Sequence, residues 1–160
     1  MLLYKQIEME VVKMASVHDV AKYILDKKGS ITTMKLQKLV YYCQAWALAW
    51  DEIPLFDEDF QAWANGPVCV QLYNKHKGLF EVSANMYKDE KVHCFTEGEQ
   101  ETMDIVLRDY GDETPHYLSE LTHKERPWRE ARGNTPLGEP SSSVISKEII
   151  RDYYSGLIAG

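Results

Sequence analysis

One stretch in the first third of the chain constrains the fold more than any other. Its sequence is MKLQKLVYYCQAWALAW, residues 34–50. Apolar side chains recur in it at steps of three and four residues, which is the spacing of one face of an α-helix. These side chains are Leu36, Leu39, Val40, Cys43, Trp46, Ala47 and Trp50. After Lys38 no charge follows until Asp51. A helix that is apolar on most sides must be surrounded by other elements, so we expect it at the centre of the domain.

The same helix carries a second ridge that contains Gln37, Tyr41 and Gln44. Buried polar groups need hydrogen-bond partners. These three side chains therefore either pair inside the fold or reach a surface where a binding partner can use them. The stretch is too short and too rich in glutamine and tyrosine for a membrane span, which needs about 20 mainly apolar residues.

Composition describes an ordinary soluble globular protein. The chain has 160 residues, of which 44% are hydrophobic and 27% are charged, enough for one domain with a proper core. The formal net charge of −7 argues against general nucleic-acid binding, because nucleic-acid-binding domains are usually basic. It leaves room for a local basic patch or a basic partner.

The cysteines and the N-terminus bear on location and domain organisation. Cys43, Cys69 and Cys94 lie far apart, which indicates reduced thiols in a cytoplasmic protein and no disulfide framework. Residues 1–13 lack the apolar run of a signal peptide, so we expect no export signal. The sequence predicts an N-terminal extension over residues 1–13 and one domain over residues 14–160.

Capping signals place most of the helices. Ser16-Val17-His18-Asp19 and Thr96-Glu97-Gly98-Glu99 resemble capping boxes, and Thr114-Pro115 pairs a cap with a proline suited to the first helical position. Further periodic segments add helices at both ends of the domain, the last of which opens at Ser146.

The strand signals are weaker. Residues 60–63 and 92–95 suggest two short strands that pair with each other. Asn65-Gly66-Pro67 indicates a turn, with Pro67 opening a helix that runs to about Lys77. The predicted fold is therefore mainly α: a single helical domain of about six helices around a central buried helix, with a small two- or three-stranded antiparallel β element.

The chain contains no strong catalytic motif. There is no GxSxG, P-loop, GxGxxG or HExxH sequence, and the five histidines occur singly, so we expect neither a metal nor a cofactor. His123, next to Thr122, has two interpretations: part of an acid–base site in a hydrolase, or a side chain that caps carbonyls at the end of its helix. The second is favoured.

Two further segments have both a structural and a functional interpretation. Basic residues from Lys124 to Arg132 cluster around Trp128 in an acidic protein. In the functional interpretation the cluster binds an acidic protein surface or a phosphate. In the structural interpretation it is a solvated helix end with Trp128 in the core. The segment from Trp63 to Val68 is either a turn whose tryptophan packs on Trp46 or Trp50, or a partner contact.

Several motifs in a fixed order carry a resemblance to a known family. They are TMKLQKLVYY and QAW (residues 33–46), PLF (54–56), AWANGPV (62–68), LY (72–73), LSELTH (118–123) and PW (127–128). With them the chain resembles the Panacea domain, also called SocA-like or GepA-like, whose members are often phage-associated. The resemblance extends from about Val17 to Tyr154.

This resemblance implies a function. Family members are antitoxins that neutralise toxins encoded beside them by direct binding, and SocA itself resembles a proteolytic adaptor that delivers its toxin to the ClpXP protease. It also implies a helical fold without enzymatic activity. We therefore predict a cytoplasmic, non-enzymatic antitoxin of a prophage-type toxin–antitoxin system, with a cognate protein toxin as its partner. The predicted partner-binding residues are Trp63, Asn65, Gly66, Pro67, Thr122, His123, Arg126, Trp128 and Arg129.

A different class of function stays open as the alternative. Helix pairs with a small hairpin occur in winged-helix proteins, which bind DNA and regulate transcription. Five lysines lie around one predicted helix pair: Lys22, Lys27, Lys28, Lys35 and Lys38. The net charge counts against this alternative, and so does the absence of an appended helix-turn-helix.

Overall fold

The computed structural model describes residues 13–159. Within them the chain forms seven α-helices, five short strands and one 3-10 turn. In chain order they are α1 Val17–Lys28, β1 Ile31–Thr32, α2 Thr33–Asp51, β2 Phe60–Trp63, β3 Gly66–Val68, α3 Val70–His76, β4 Glu81–Val82, the 3-10 turn Ala84–Tyr87, α4 Glu97–Tyr110, α5 Pro115–Lys124, α6 Arg126–Arg132, β5 Val144–Ile145 and α7 Lys147–Ala159. The predicted mainly α fold with a small antiparallel sheet is confirmed.

Helix α2 is the centre of the domain, as its sequence predicts. It packs against α1, α4, α5 and α7, and the hairpin strand β3 covers its N-terminal half. Leu36, Leu39, Val40 and Cys43 are completely buried. The predicted stripe ends before Trp50, which is 40% exposed, because the C-terminal turn of α2 extends beyond the helices around it.

The helix starts predicted at Ser16, Thr96 and Thr114 are confirmed. Ser16 and Thr96 each form a complete capping box, in which the cap side chain and the carboxylate three residues later satisfy each other's backbone N–H groups. Thr114 caps α5 with Pro115 in its first turn. Thr32 caps α2 by accepting a hydrogen bond from the Lys35 N–H at 3.1 Å.

Two small antiparallel sheets complete the domain. The larger has the strand order β3-β2-β5, with Gln61 opposite both Val68 and Val144. The smaller pairs β1 with β4, so that Ile31 lies opposite Val82. The larger sheet places the β2–β3 hairpin beside α2, α5 and α6.

The strand predictions were wrong in three respects. Residues 92–95 form no strand, because β5 occupies the edge of β2 where they were expected to pair. Pro67 lies in β3, and the following helix begins only at Val70. The hairpin turn is Ala64-Asn65, one residue earlier than predicted, since Trp63 pairs with Gly66.

Most of the predicted N-terminal extension, residues 1–12, lies outside the described residues. No helix within residues 13–159 has both the length and the apolar character needed to cross a membrane.

Candidate partner-binding site around the β2–β3 hairpin

Side chains of α2, α5 and α6 donate hydrogen bonds to the backbone of the β2–β3 hairpin. Four hairpin carbonyls each accept a hydrogen bond from a different side chain. The donors are Arg132 to Ala62 (3.0 Å), Trp128 to Trp63 (2.8 Å), Ser119 to Asn65 (2.5 Å) and Lys38 to Pro67 (3.2 Å). Buried carbonyls cost free energy when they have no donor, so these side chains fix the hairpin in place. The structure thus brings together the AWANGPV segment and the LSELTH and PW segments, which are more than 50 residues apart in sequence.

Trp128 is the centre of this support. Its ring lies between His123, stacked at a centroid distance of 4.0 Å, and the Arg132 guanidinium, 4.8 Å from the ring centroid. Trp128 and Arg132 are buried, so the structural interpretation of this part of the basic cluster holds. Burial lowers the pKa of His123, and its Nε2 atom has no hydrogen-bond partner within the described residues. The His123 ring therefore stacks on Trp128 next to the backbone of Ala64 in the hairpin turn.

Gly66 is required by a close approach of side chains. Its backbone has φ +120°, a region that side-chain-bearing residues rarely adopt. A Cβ at this position would lie 2.5 Å from Lys38 Cε and 2.9 Å from Thr122 Oγ1. The glycine therefore lets the Lys38 side chain pass directly beneath the hairpin.

The polar ridge of α2 is paired inside the fold. Gln37 accepts a hydrogen bond from the Cys69 N–H at 2.9 Å and donates to the Cys69 carbonyl at 3.1 Å. Gln44 accepts from the Leu55 N–H at 2.8 Å and donates to the Phe56 carbonyl at 2.7 Å. These two side chains fix the connections that follow α2 and β3, and the whole ridge, including Tyr41, is buried.

A second buried polar cluster lies on the far side of α2. Glu125 accepts hydrogen bonds from the hydroxyl groups of Tyr42 at 2.6 Å and Tyr154 at 2.8 Å. Because the single proton of Tyr154 is used by Glu125, the Tyr154 oxygen accepts from the Tyr41 hydroxyl, which lies 3.3 Å away. Burial raises the pKa of Glu125, and the two hydroxyl donors partly offset this rise. The cluster joins α2 to α6 and α7 and has no access to the hairpin.

Lys38 is the most unusual ionisable residue of the domain. It is 1% exposed, and its one hydrogen bond within the described residues is the bond to Pro67. Burial alone lowers the pKa of Lys38 to about 7, without an opposing carboxylate. A lysine at the base of a cavity is too deep to reach the phosphate backbone of a DNA duplex. Lys22 and Lys28 also pair with Asp26 and Asp112, at 2.8 and 3.0 Å, which further weakens the DNA-binding alternative.

Two cavities open on either side of the hairpin turn. The first has a volume of about 660 Å³, with Gln37, Lys38 and His76 at its base and the rings of Trp63 and Tyr73 along its wall. Its other wall is formed by Gly138, Pro140, Ser141 and Ser142. The second has a volume of about 540 Å³ and lies between α5 and the loop before β4. The two cavities share three lining residues, which lie between them: Thr33, Met34 and Asn65.

The rim of the second cavity exposes apolar side chains. Phe80 is 79% exposed and Met34 is 37% exposed, and both line it. We call the surface formed by Met34, Trp63, Asn65, Phe80 and His116, together with the two cavities, the hairpin face. Exposed apolar residues around a concave surface are typical of binding sites.

The structure separates the predicted partner-binding residues into three groups. Trp63, Asn65 and His123 line the cavities, with Trp63 packed on Tyr73 at 5.0 Å and not on Trp46 or Trp50. Four are buried: Gly66 and Pro67 within the hairpin, and Thr122 and Trp128 in the helices beside it. Arg126 and Arg129 are exposed but lie beside Tyr153 of α7, away from the hairpin face.

Sequence reasoning missed Met34 and Phe80 as surface residues. Met34 belongs to an apolar periodic stretch, and Phe80 follows Gly78 in a segment without periodicity, so no sequence signal separates either from a core residue. Within residues 13–159 no group of three His, Cys, Asp or Glu side chains is arranged to hold a metal ion.

Comparison with known proteins adds the family. No curated protein and no solved structure matches the chain. The family model described as antitoxin SocA-like, Panacea domain, matches residues 36–129. This range is more than half of the chain, and it begins in α2 and ends in α6, so it contains the hairpin and the helices that support it. The chain therefore belongs to the SocA-like antitoxin family and carries its Panacea domain.

Proposed function

We propose that this protein is a non-enzymatic antitoxin that neutralises a protein toxin encoded by a neighbouring gene, and that it does so by direct binding. The observation that carries the proposal is membership of the SocA-like antitoxin family over residues 36–129. The location is the cytoplasm, where such a toxin would be made.

The hairpin face is the proposed toxin-binding surface. Its support by four side-chain-to-carbonyl hydrogen bonds makes the hairpin a rigid element, and rigid surfaces lose less entropy on binding. Phe80 and Met34 expose apolar side chains at the second cavity. In protein–protein interfaces a few side chains of this kind contribute most of the binding free energy.

The function is tested by co-expression. The neighbouring gene is expressed alone and together with this chain, and growth of the host is measured. The expected result is growth arrest by the neighbouring gene alone and recovery when both are present. A neighbouring gene that is harmless alone, or that stays toxic beside this chain, contradicts the proposal.

The surface is tested with single substitutions at exposed positions. Phe80→Asp and Asn65→Arg each place a charge on the hairpin face, and each should weaken toxin binding at least thirtyfold, the effect of losing about 2 kcal/mol at an interface hot spot. Val92→Asp is the matched control, since Val92 is 75% exposed and lies outside both cavities. Equal binding by all three variants would place the toxin elsewhere.

The same strains separate two modes of neutralisation. Simple sequestration leaves the toxin present in cells at an unchanged level, bound to this chain. Delivery to the ClpXP protease shortens the half-life of the toxin, and loss of the protease restores both the toxin and its effect. Toxin half-life with and without this chain therefore distinguishes sequestration from an adaptor role.

A further inference from the structure

The first cavity has a chemical character that differs from the rest of this acidic protein. The chain carries 25 Asp and Glu residues against 18 Lys and Arg residues. No acidic side chain lines the first cavity, whereas Asp57, Glu58 and Asp59 line a neighbouring one. The basic side chains that line it are Lys38 and His76, and His123 lies close enough to Lys38 for the lysine charge to contribute to its lowered pKa, after the larger effect of burial. The groups of this lining that can carry a positive charge therefore face no carboxylate of the lining.

Lys38 supplies an unmatched charge at the base of the cavity. A charged lysine has three N–H donors, and within the described residues one of them is used, by the Pro67 carbonyl at 3.2 Å. Gln37 beside it has no free capacity, because its amide is held by Cys69 and His76. Buried charges in proteins are normally paired, so an anion in the cavity would stabilise the charged form of Lys38.

The wall of the cavity suits an apolar or aromatic body. The Trp63 and Tyr73 rings meet edge to face at 5.0 Å, and Met34 and Val68 add apolar surface. The volume of about 660 Å³ lies within the range of small-molecule sites, roughly 300–1,000 Å³. The site thus combines an aromatic wall with one buried cation.

We propose that the first cavity binds a carboxylate carried on an apolar or aromatic body, with the carboxylate accepting hydrogen bonds from Lys38 and the body packing on Trp63 and Tyr73. The carboxylate belongs either to a free organic acid or to a residue of a bound protein partner. Burial without a counter-charge lowers the pKa of Lys38 to about 7, and an anion that enters the cavity raises this pKa again. Binding near neutral pH is therefore accompanied by proton uptake.

The chemistry is tested with benzoate and benzamide, which have the same shape but differ in charge. The wild-type chain should bind benzoate at least tenfold more tightly than benzamide. In Lys38→Met this preference should disappear, while Lys35→Met, a change on the same helix outside the cavity, should keep it. Equal binding of the two probes to the wild type, or a preference that survives in Lys38→Met, overturns the inference.

A second measurement needs no variant and guards against misfolding of Lys38→Met. The Lys38 side-chain resonances are titrated with pH, with and without saturating benzoate. The pKa of Lys38 should rise by at least one pH unit when benzoate is bound, because tenfold tighter binding to the charged form requires a difference of that size. An unchanged pKa overturns the inference.

The source of the carboxylate follows from a third comparison, which does rest on the proposed function. Benzoate is titrated into the complex of this chain with its toxin. Retained binding assigns the cavity to a free organic acid. Lost binding, together with weaker toxin binding by Lys38→Met, assigns the carboxylate to the toxin. If no complex forms, the proposed function fails while the benzoate result stands.

Discussion

Replacing Lys38 by methionine should stabilise the free protein, and the gain should depend on pH in a defined way. Methionine keeps the length of the lysine stem and removes the charge. In the folded state burial lowers the pKa of Lys38 from its ordinary value of 10.5 to about 7. Because the folded pKa lies below the unfolded one, the unfolded chain binds the proton more tightly, and protonation favours unfolding between these two values.

The size of the effect follows from the difference between the two pKa values. One pH unit corresponds to about 1.36 kcal/mol, so below pH 7 the lysine costs the folded state about 4–5 kcal/mol. At pH 9 the cost has fallen to about 2 kcal/mol by the same relation. Methionine leaves the Pro67 carbonyl without its donor, which costs about 1–3 kcal/mol at every pH. The variant should therefore be more stable than the wild type by about 1–4 kcal/mol at pH 6 and within about 1 kcal/mol of it at pH 9.

The assay is urea unfolding of both proteins at intervals from pH 6 to pH 9.5. The difference in unfolding free energy between variant and wild type is plotted against pH, so that groups shared by both proteins cancel. Lys124→Met, at an exposed position, is the control and should give a difference near zero at every pH. A difference for Lys38→Met that stays constant with pH, or a variant less stable than the wild type at pH 6, would refute the reasoning.

Three further substitutions, and one control at Gly98, test the supports of the fold. Gly66→Ala should lower the unfolding free energy by about 2–3 kcal/mol in the urea assay, because the residue has a φ of +120° and its new Cβ would contact the Lys38 side chain. Gly98→Ala is the control at an open helical position and should raise the unfolding free energy by about 0.4–1 kcal/mol. Trp128→Phe removes the donor to the Trp63 carbonyl and should cost about 1–3 kcal/mol in thermal or urea unfolding. Glu125→Gln should gain stability relative to the wild type as pH rises above 4.5, because the raised pKa of Glu125 in the folded state means that ionisation of its carboxyl group destabilises the fold. If the difference in unfolding free energy between the two proteins is constant from pH 4 to pH 7, this explanation is wrong.

The helices could be predicted from the sequence because their signals are local. The capping boxes at Ser16 and Thr96 involve four consecutive residues each, and the burial of α2 follows from an apolar period that spans the whole helix. The strands could not be predicted in the same way. Strand β5 has two residues and therefore no period, and its pairing with β2 is decided by tertiary structure.

The site was predicted only in outline. The sequence pointed to the turn after Trp63 and to the segment around Trp128, but it predicted a helix after this turn and could not show a hairpin that Trp128 supports by a hydrogen bond. Hydrogen bonds from Gln37 and Lys38 to backbone atoms 29–32 residues away leave no trace in periodicity or composition. For the same reason a lysine between apolar residues of a helix gives no sign of whether it reaches solvent. Burial of Lys38, and the cavity above it, follow only from the packed structure.

Growth of a bacterial host that carries the neighbouring gene, with and without this chain, tests the central claim most directly. We expect growth arrest by the neighbouring gene alone, recovery with the wild-type chain, recovery with Val92→Asp and continued arrest with Phe80→Asp. Recovery with every variant would show that the toxin does not bind the hairpin face. A neighbouring gene without toxicity, or one whose toxicity this chain does not relieve, would contradict the claim that the protein is an antitoxin.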